Sequence, residues 1–107
     1  MRVKADVIGL EESELDELIE ILSSDPYISG AILYGSRAKG TYKPFSDLDI
    51  TLKGDKLSID TLAELQNKFY YSSLPYLVDL SIFDRLKNDE LIDHIRRRGI
   101  TLYSRNS

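Results

Sequence analysis

Asp47, Asp49 and Asp79 are the residues whose types and spacing could do chemistry. Asp47 and Asp49 flank Leu48 in "SDLDITL", and Asp79 stands between Val78 and Leu80 in "LVDLSIF". Aspartate is disfavoured in strands, and a charge near a core is costly unless it is paired or bound to a metal. Residues two apart on a strand share a face. Asp47 and Asp49 are therefore expected to project together while Leu48 and Ile50 turn into the core. Asp79 opposes Val78 and Leu80 in the same way. If the two strands are neighbours, three carboxylates meet on one face of a sheet. Like charges that close raise one another's pKa. Divalent cations relieve the conflict, because carboxylate oxygen is the natural ligand of magnesium and manganese. Three shared carboxylates suit a pair of metals about 3.5–4 Å apart, the arrangement used for in-line phosphoryl transfer.

A short loop upstream supplies a partner for such a metal site. Gly35 follows an apolar run, "GAILYG", and lets the backbone approach a ligand closely. Ser36 offers a hydroxyl and an amide at what reads as one helical turn, "SRAKG" (36–40), a setting that suits an anion. Arg37, Lys39 and Lys43 are near enough in sequence to help neutralise a polyphosphate. The loop is expected to hold phosphate while the aspartates hold metal.

The elements that must position these residues can be read from periodicity. Residues 11–23 place Leu15, Leu18, Ile19 and Leu22 at helical spacing behind an acidic first turn. Residues 30–35 read as a buried strand bounded by glycines, and 47–54 as an alternating strand. Residues 58–72 put Leu62, Leu65 and Phe69 on one helical face with Ser58 as N-cap. Residues 76–83 read as a strand. Residues 88–99 read as a helix between Asn88 and Gly99, and 100–104 as a last strand. The order α, β, β, α, β, α, β predicts an α+β fold, a small mixed sheet with helices packed against it.

Composition bounds the rest. The 107 residues are 42% hydrophobic and 30% charged, an ordinary globular balance that suits one domain spanning 1–107. Fourteen Lys and Arg stand against 18 Asp and Glu, a formal charge of −4. No global positive field draws the chain to nucleic acid or an anionic membrane. The chain has no cysteine, so disulfides and thiolate metal sites are excluded. No signal peptide or membrane span is expected, and the cytoplasm is the expected location.

The stretch "GSRAKGTYKPFSDLDI" closely resembles the signature of the DNA polymerase β-like nucleotidyltransferase superfamily. It has Gly35-Ser36, then ten residues, then Asp47-Leu48-Asp49. The small size is similar to the minimal nucleotidyltransferase (MNT) branch. "LPYLVDLSIF" resembles the strand bearing that family's third carboxylate, and "LIDHIRRRGITLYS" its closing helix and strand. The resemblance runs from about Ile28 onward and implies the polymerase β palm-like nucleotidyltransferase fold. It also implies transfer of a nucleoside monophosphate, AMP from ATP, to an acceptor hydroxyl with magnesium, as two ions, or with manganese. By position it implies that Asp47, Asp49 and Asp79 are catalytic metal ligands, with Asp79 also helping to activate the attacking hydroxyl. Gly35 and Ser36 would hold the triphosphate, and Arg37 would contact phosphate. Larger relatives add a helical domain that grips base and acceptor, and 107 residues leave no space for one. Minimal members pair with a small helical HEPN protein as antitoxin and toxin, and studied ones adenylylate a tyrosine of that ribonuclease.

Two other readings stay open. One is an antitoxin or regulatory subunit that neutralises its partner by binding alone. The other is an antibiotic-modifying nucleotidyltransferase completed by a dimer or a partner. A homo-oligomer is compatible with either, and no direct nucleic-acid partner is expected. Elsewhere the residues read as structural. His94 is expected on a solvated helix face, Arg96 to Arg98 at a helix C-terminus, and Tyr34, Tyr70 and Tyr103 in the core or at its edge. Tyr42, in the loop, is the one tyrosine that could meet a nucleotide.

Overall fold

The computed structural model describes residues 3–105; the remaining residues of the expected 1–107 domain lie outside that range. Four strands, β1 (Gly30–Tyr34), β2 (Leu48–Lys53), β3 (Val78–Ile82) and β4 (Ile100–Ser104), form one sheet in the order β3-β2-β1-β4. β1 runs antiparallel to both β2 and β4, and β2 runs parallel to β3. A parallel pair needs a long crossover, and here α3 (Ile59–Tyr70) lies within it. The fold is therefore the expected α+β arrangement. α1 (Glu12–Ser23), the one-turn α2 (Ser36–Lys39) and α4 (Asp89–Arg98) complete it. Among the described residues no helix is long and apolar enough to cross a membrane.

Alternation gives the sheet two unlike faces. Ala31, Leu33, Leu48, Ile50, Leu52, Val78, Leu80, Ile82 and Leu102 are buried in one core, with Leu15, Leu18 and Leu22 of α1 and Leu65 and Phe69 of α3. The intervening residues, among them Ile32, Tyr34, Asp49, Thr51, Asp79 and Ser81, belong to the other face. α4 packs beside β1, and a Cβ added at Gly99 would run into Ile32.

The helix ends are set by the residues that periodicity marked. Ser58 Oγ accepts from the Thr61 N–H at 3.4 Å, and the Thr61 hydroxyl accepts from the Ser58 N–H at 3.2 Å. Asn88 Oδ1 accepts from the Leu91 N–H at 3.1 Å. Each satisfies a first-turn amide that has no partner inside its own helix.

Two features depart from expectation. A 3₁₀ turn over Ala5–Ile8 precedes α1, and periodicity cannot mark so short an element. Tyr70, expected in the core or at its edge, is 80% exposed. Leu65 and Phe69 are four apart and point to the sheet, and the next residue is turned about 100° away from them. Tyr34 is buried, and Tyr103 is half-buried against the core, both as expected.

Candidate active site

Pairing in the sheet sets three residues side by side. Tyr34 of β1 faces Asp49 of β2, and Asp49 faces Asp79 of β3. Leu48, Ile50, Val78 and Leu80 are buried, which fixes both aspartates on the opposite face. Asp47 stands one residue before β2 and is exposed, as is Asp79, while Asp49 is half-buried. The Leu48 N–H donates to the Leu77 carbonyl at 2.9 Å, which sets the register of the parallel pair.

Asp49 feels the other two acids. Burial pushes the Asp49 carboxyl above the usual carboxylate range, and the charges of Asp79 and Asp47 push it further in the same direction. Burial also raises the Tyr34 phenol, the Ser81 hydroxyl opposes this, and Asp79 and then Asp49 add to the rise. All three expected carboxylates therefore contribute to one negative field centred on Asp49. Their donor set, carboxylate oxygens alone, fits a hard divalent cation such as magnesium or manganese. They are not gathered as a closed ligand cluster: among the described residues no three His, Asp or Glu side chains stand close enough together to hold an ion.

The phosphate-loop candidate lies against Asp49. Gly35 has φ +77° and ψ −154°, a conformation that L side chains rarely adopt. A Cβ there would collide with Asp49 Oδ2. The backbone thus passes over the carboxylate at a distance that glycine alone allows. Ser36 begins α2 immediately after it, half-buried. Gly35→Ala should cost about 1–3 kcal/mol from the strained backbone and displace Asp49 as well. Chemical denaturation reads the first effect, and magnesium-dependent nucleotide binding the second.

Arg37 needs correcting. Position suggested a phosphate contact, but its side chain is 2% exposed and fully committed to the fold. Nε and Nη2 both donate to the Ser46 carbonyl, at 3.0 and 2.9 Å. Nη1 donates to the carbonyls of Ile8 at 2.9 Å and Gly9 at 3.2 Å. The guanidinium also lies over the rings of Tyr76, 4.5 Å from its centroid, and Tyr42, at 5.4 Å. Five fixed donors in one plane suit this web of carbonyls. Tyr42 packs on Arg37 and stays half-buried. Lys39 and Lys43 remain exposed cations near the loop.

His94 also departs from expectation. It is half-buried, and its Nε2 accepts from the Gly35 N–H at 3.2 Å. Its ring meets Tyr34 edge-on, with centroids 6.4 Å apart and planes at 77°. A signal for this exists in the sequence. Leu91 and Ile95, three before and one after His94, put the histidine near the inward stripe of α4. The surrounding charges obscured it. Of the three arginines, Arg97 pairs with Asp93 at 3.2 Å on an exposed surface, as a solvated helix end would.

Comparison with known proteins gives a family and a set of folds. Residues 16–107 match the family model described as polymerase beta, nucleotidyltransferase. No curated protein sequence matches significantly. One similar solved structure is a toxin–antitoxin complex with AMP-PNP, 27% identical with a TM-score of 0.69, covering 84% of this chain and 73% of that one. Another is a tri-AMPylated Shewanella oneidensis HEPN toxin in complex with MNT antitoxin. It is 23% identical with a TM-score of 0.65, covering 87% and 71%. A third is a nucleotidyltransferase-like protein from Sulfolobus solfataricus, 21% identical with a TM-score of 0.50, covering 92% and 94%.

Proposed function

Since the chain belongs to the polymerase beta nucleotidyltransferase family, we propose that it moves AMP from ATP to an acceptor hydroxyl, a tyrosine of a small helical HEPN-type toxin, and so acts as a cytoplasmic antitoxin. The observation that carries this reading is the row Tyr34–Asp49–Asp79 with the Gly35 backbone pressed against Asp49. It sets a loop suited to phosphate beside carboxylates suited to a cation. The similar complexes support the choice of nucleotide and of partner, since one contains AMP-PNP and another an AMPylated HEPN toxin.

Each residue then has a task. Gly35 and Ser36 hold the terminal phosphates, which leaves the α-phosphate over the acids. Asp47, Asp49 and Asp79 would hold magnesium by drawing closer together than they stand without it. Bound there, the ion would supply charge neutralisation for the triphosphate and for the transferring phosphoryl group. Asp79, exposed at the edge strand, accepts the proton of the incoming hydroxyl. The acceptor oxygen bonds to the α-phosphorus, the bond to the β-phosphate oxygen breaks, and pyrophosphate leaves.

Incubation with ATP, magnesium and the cognate HEPN partner should add the mass of AMP to that partner and release pyrophosphate. Intact-mass spectrometry reads the adduct, and a ribonuclease assay reads the loss of toxicity. A second reading, neutralisation by binding alone, is favoured by one observation. Phe45, Tyr70, Tyr71 and Leu77 are each at least 70% exposed, an apolar display suited to a protein partner. That reading stands if no adduct forms and a variant lacking Asp47 and Asp49 carboxylates still neutralises the toxin.

A further inference from the structure

We propose that His94 competes with the nucleotide's phosphate for the Gly35 amide, and so sets how tightly the loop takes a triphosphate. This rests on the reading that Gly35 and Ser36 hold the triphosphate.

The imidazole accepts the Gly35 N–H through Nε2, so that nitrogen presents a lone pair to the loop. A phosphate oxygen is also an acceptor. One amide hydrogen cannot serve both well, and the two lone pairs repel if they crowd it. A triphosphate that uses this amide must therefore displace the ring.

The ring is held where it can compete. Tyr34 packs edge-on against it. Its helix is anchored by Ile95, 2% exposed, and by Gly99, which leaves no room for a side chain beside Ile32. The ring contact sets His94 beside Tyr34, the β1 member of the row that runs through Asp49 to Asp79. The histidine thus occupies the same Gly35 amide that the triphosphate would use. A neutral hydrogen bond of this kind changes an equilibrium by about three- to tenfold, and that is the expected effect on nucleotide affinity.

The test uses the full chain, AMP-PNP and magnesium, with calorimetry on wild type, His94→Ala, His94→Phe and His94→Gln. The Ala and Phe variants lack the acceptor and should bind about three- to tenfold more tightly. His94→Phe keeps a ring against Tyr34, so it separates the lost acceptor from lost packing. His94→Gln can place an amide oxygen near the Nε2 position and should stay close to wild type. Nitrogen-15 NMR supplies the second readout. Without nucleotide, a coupling through the hydrogen bond should link the Gly35 N–H to His94 Nε2, and AMP-PNP should abolish it while shifting the Gly35 and Ser36 amides. Unchanged or weaker binding in both acceptor-free variants, or a His94–Gly35 bond that survives while Ser36 shifts, overturns the competition and leaves the loop reading intact. If neither amide responds to AMP-PNP, the loop reading fails and the competition with it.

Discussion

Asp49→Asn should leave a folded protein whose AMP transfer falls on the order of 1,000-fold or more. Asparagine keeps the size of the side chain and removes the charge at the centre of the acid row. Stability should move the other way. Burial and the charges of Asp79 and Asp47 raise the Asp49 pKa in the folded state. Its ionised form is therefore disfavoured by folding. The favourable contribution of the protonated acid is complete below the unfolded-state pKa. It is lost as pH rises through the folded-state pKa, so at neutral pH the charge burdens the fold. Without divalent metal, Asp49→Asn should thus melt higher than wild type at pH 7, and the difference should shrink as pH falls into the carboxylate range. Magnesium should raise the wild-type melting temperature and leave the variant's nearly unmoved. A variant that melts lower than wild type at pH 7 without metal would show that Asp49 holds the fold together and is no free ligand.

Arg37→Met should destabilise the domain by about 3–5 kcal/mol, because it strips a buried cation from the carbonyls it satisfies. Domains of this size are typically stable by only 5–15 kcal/mol. The melting temperature should fall by about 15 °C or more, as read by calorimetry. Arg37→Lys should recover little of this, because an ammonium on a flexible stem cannot bond the carbonyls of Ile8, Gly9 and Ser46 from one plane. A phosphate ligand would behave in the opposite way: Arg37→Lys would keep its melting temperature and lose affinity for AMP-PNP. That pattern would restore Arg37 to the loop.

What could be read from the sequence follows the physics of short range. Asp49 and Asp79 were legible because period-two alternation with Leu48, Ile50, Val78 and Leu80 is a local property of each strand. Their meeting needed one assumption, that the two strands are neighbours, and β2 and β3 pair in the register that sets them opposite. Ser58 and Asn88 were legible as caps because capping is decided within three residues. Arg37 was not. Its destination is set by carbonyls at residues 8, 9 and 46, and no periodicity links these to the loop. His94 failed for a related reason. The charge on α4 suggests a solvated helix, while its packing beside β1 is decided by topology. Tyr70 is the reverse case: it follows Phe69 at the end of the helical stripe, on a face already turned to solvent.

The interior strand β1 has a consequence for how the chain is made. β1 takes one partner from β2, soon after it, and the other from β4, far downstream. A nascent chain leaves the ribosome in sequence order. The antiparallel pair of β1 and β2 can therefore close early, while the other edge of β1 stays bare until residues 100–104 emerge. During that interval the glycine turn at the end of β1 lacks both β4 and the histidine on α4 that later engages it. An uncovered edge recruits foreign strands, so for this protein the speed of late elongation bears on the yield of correctly closed sheets.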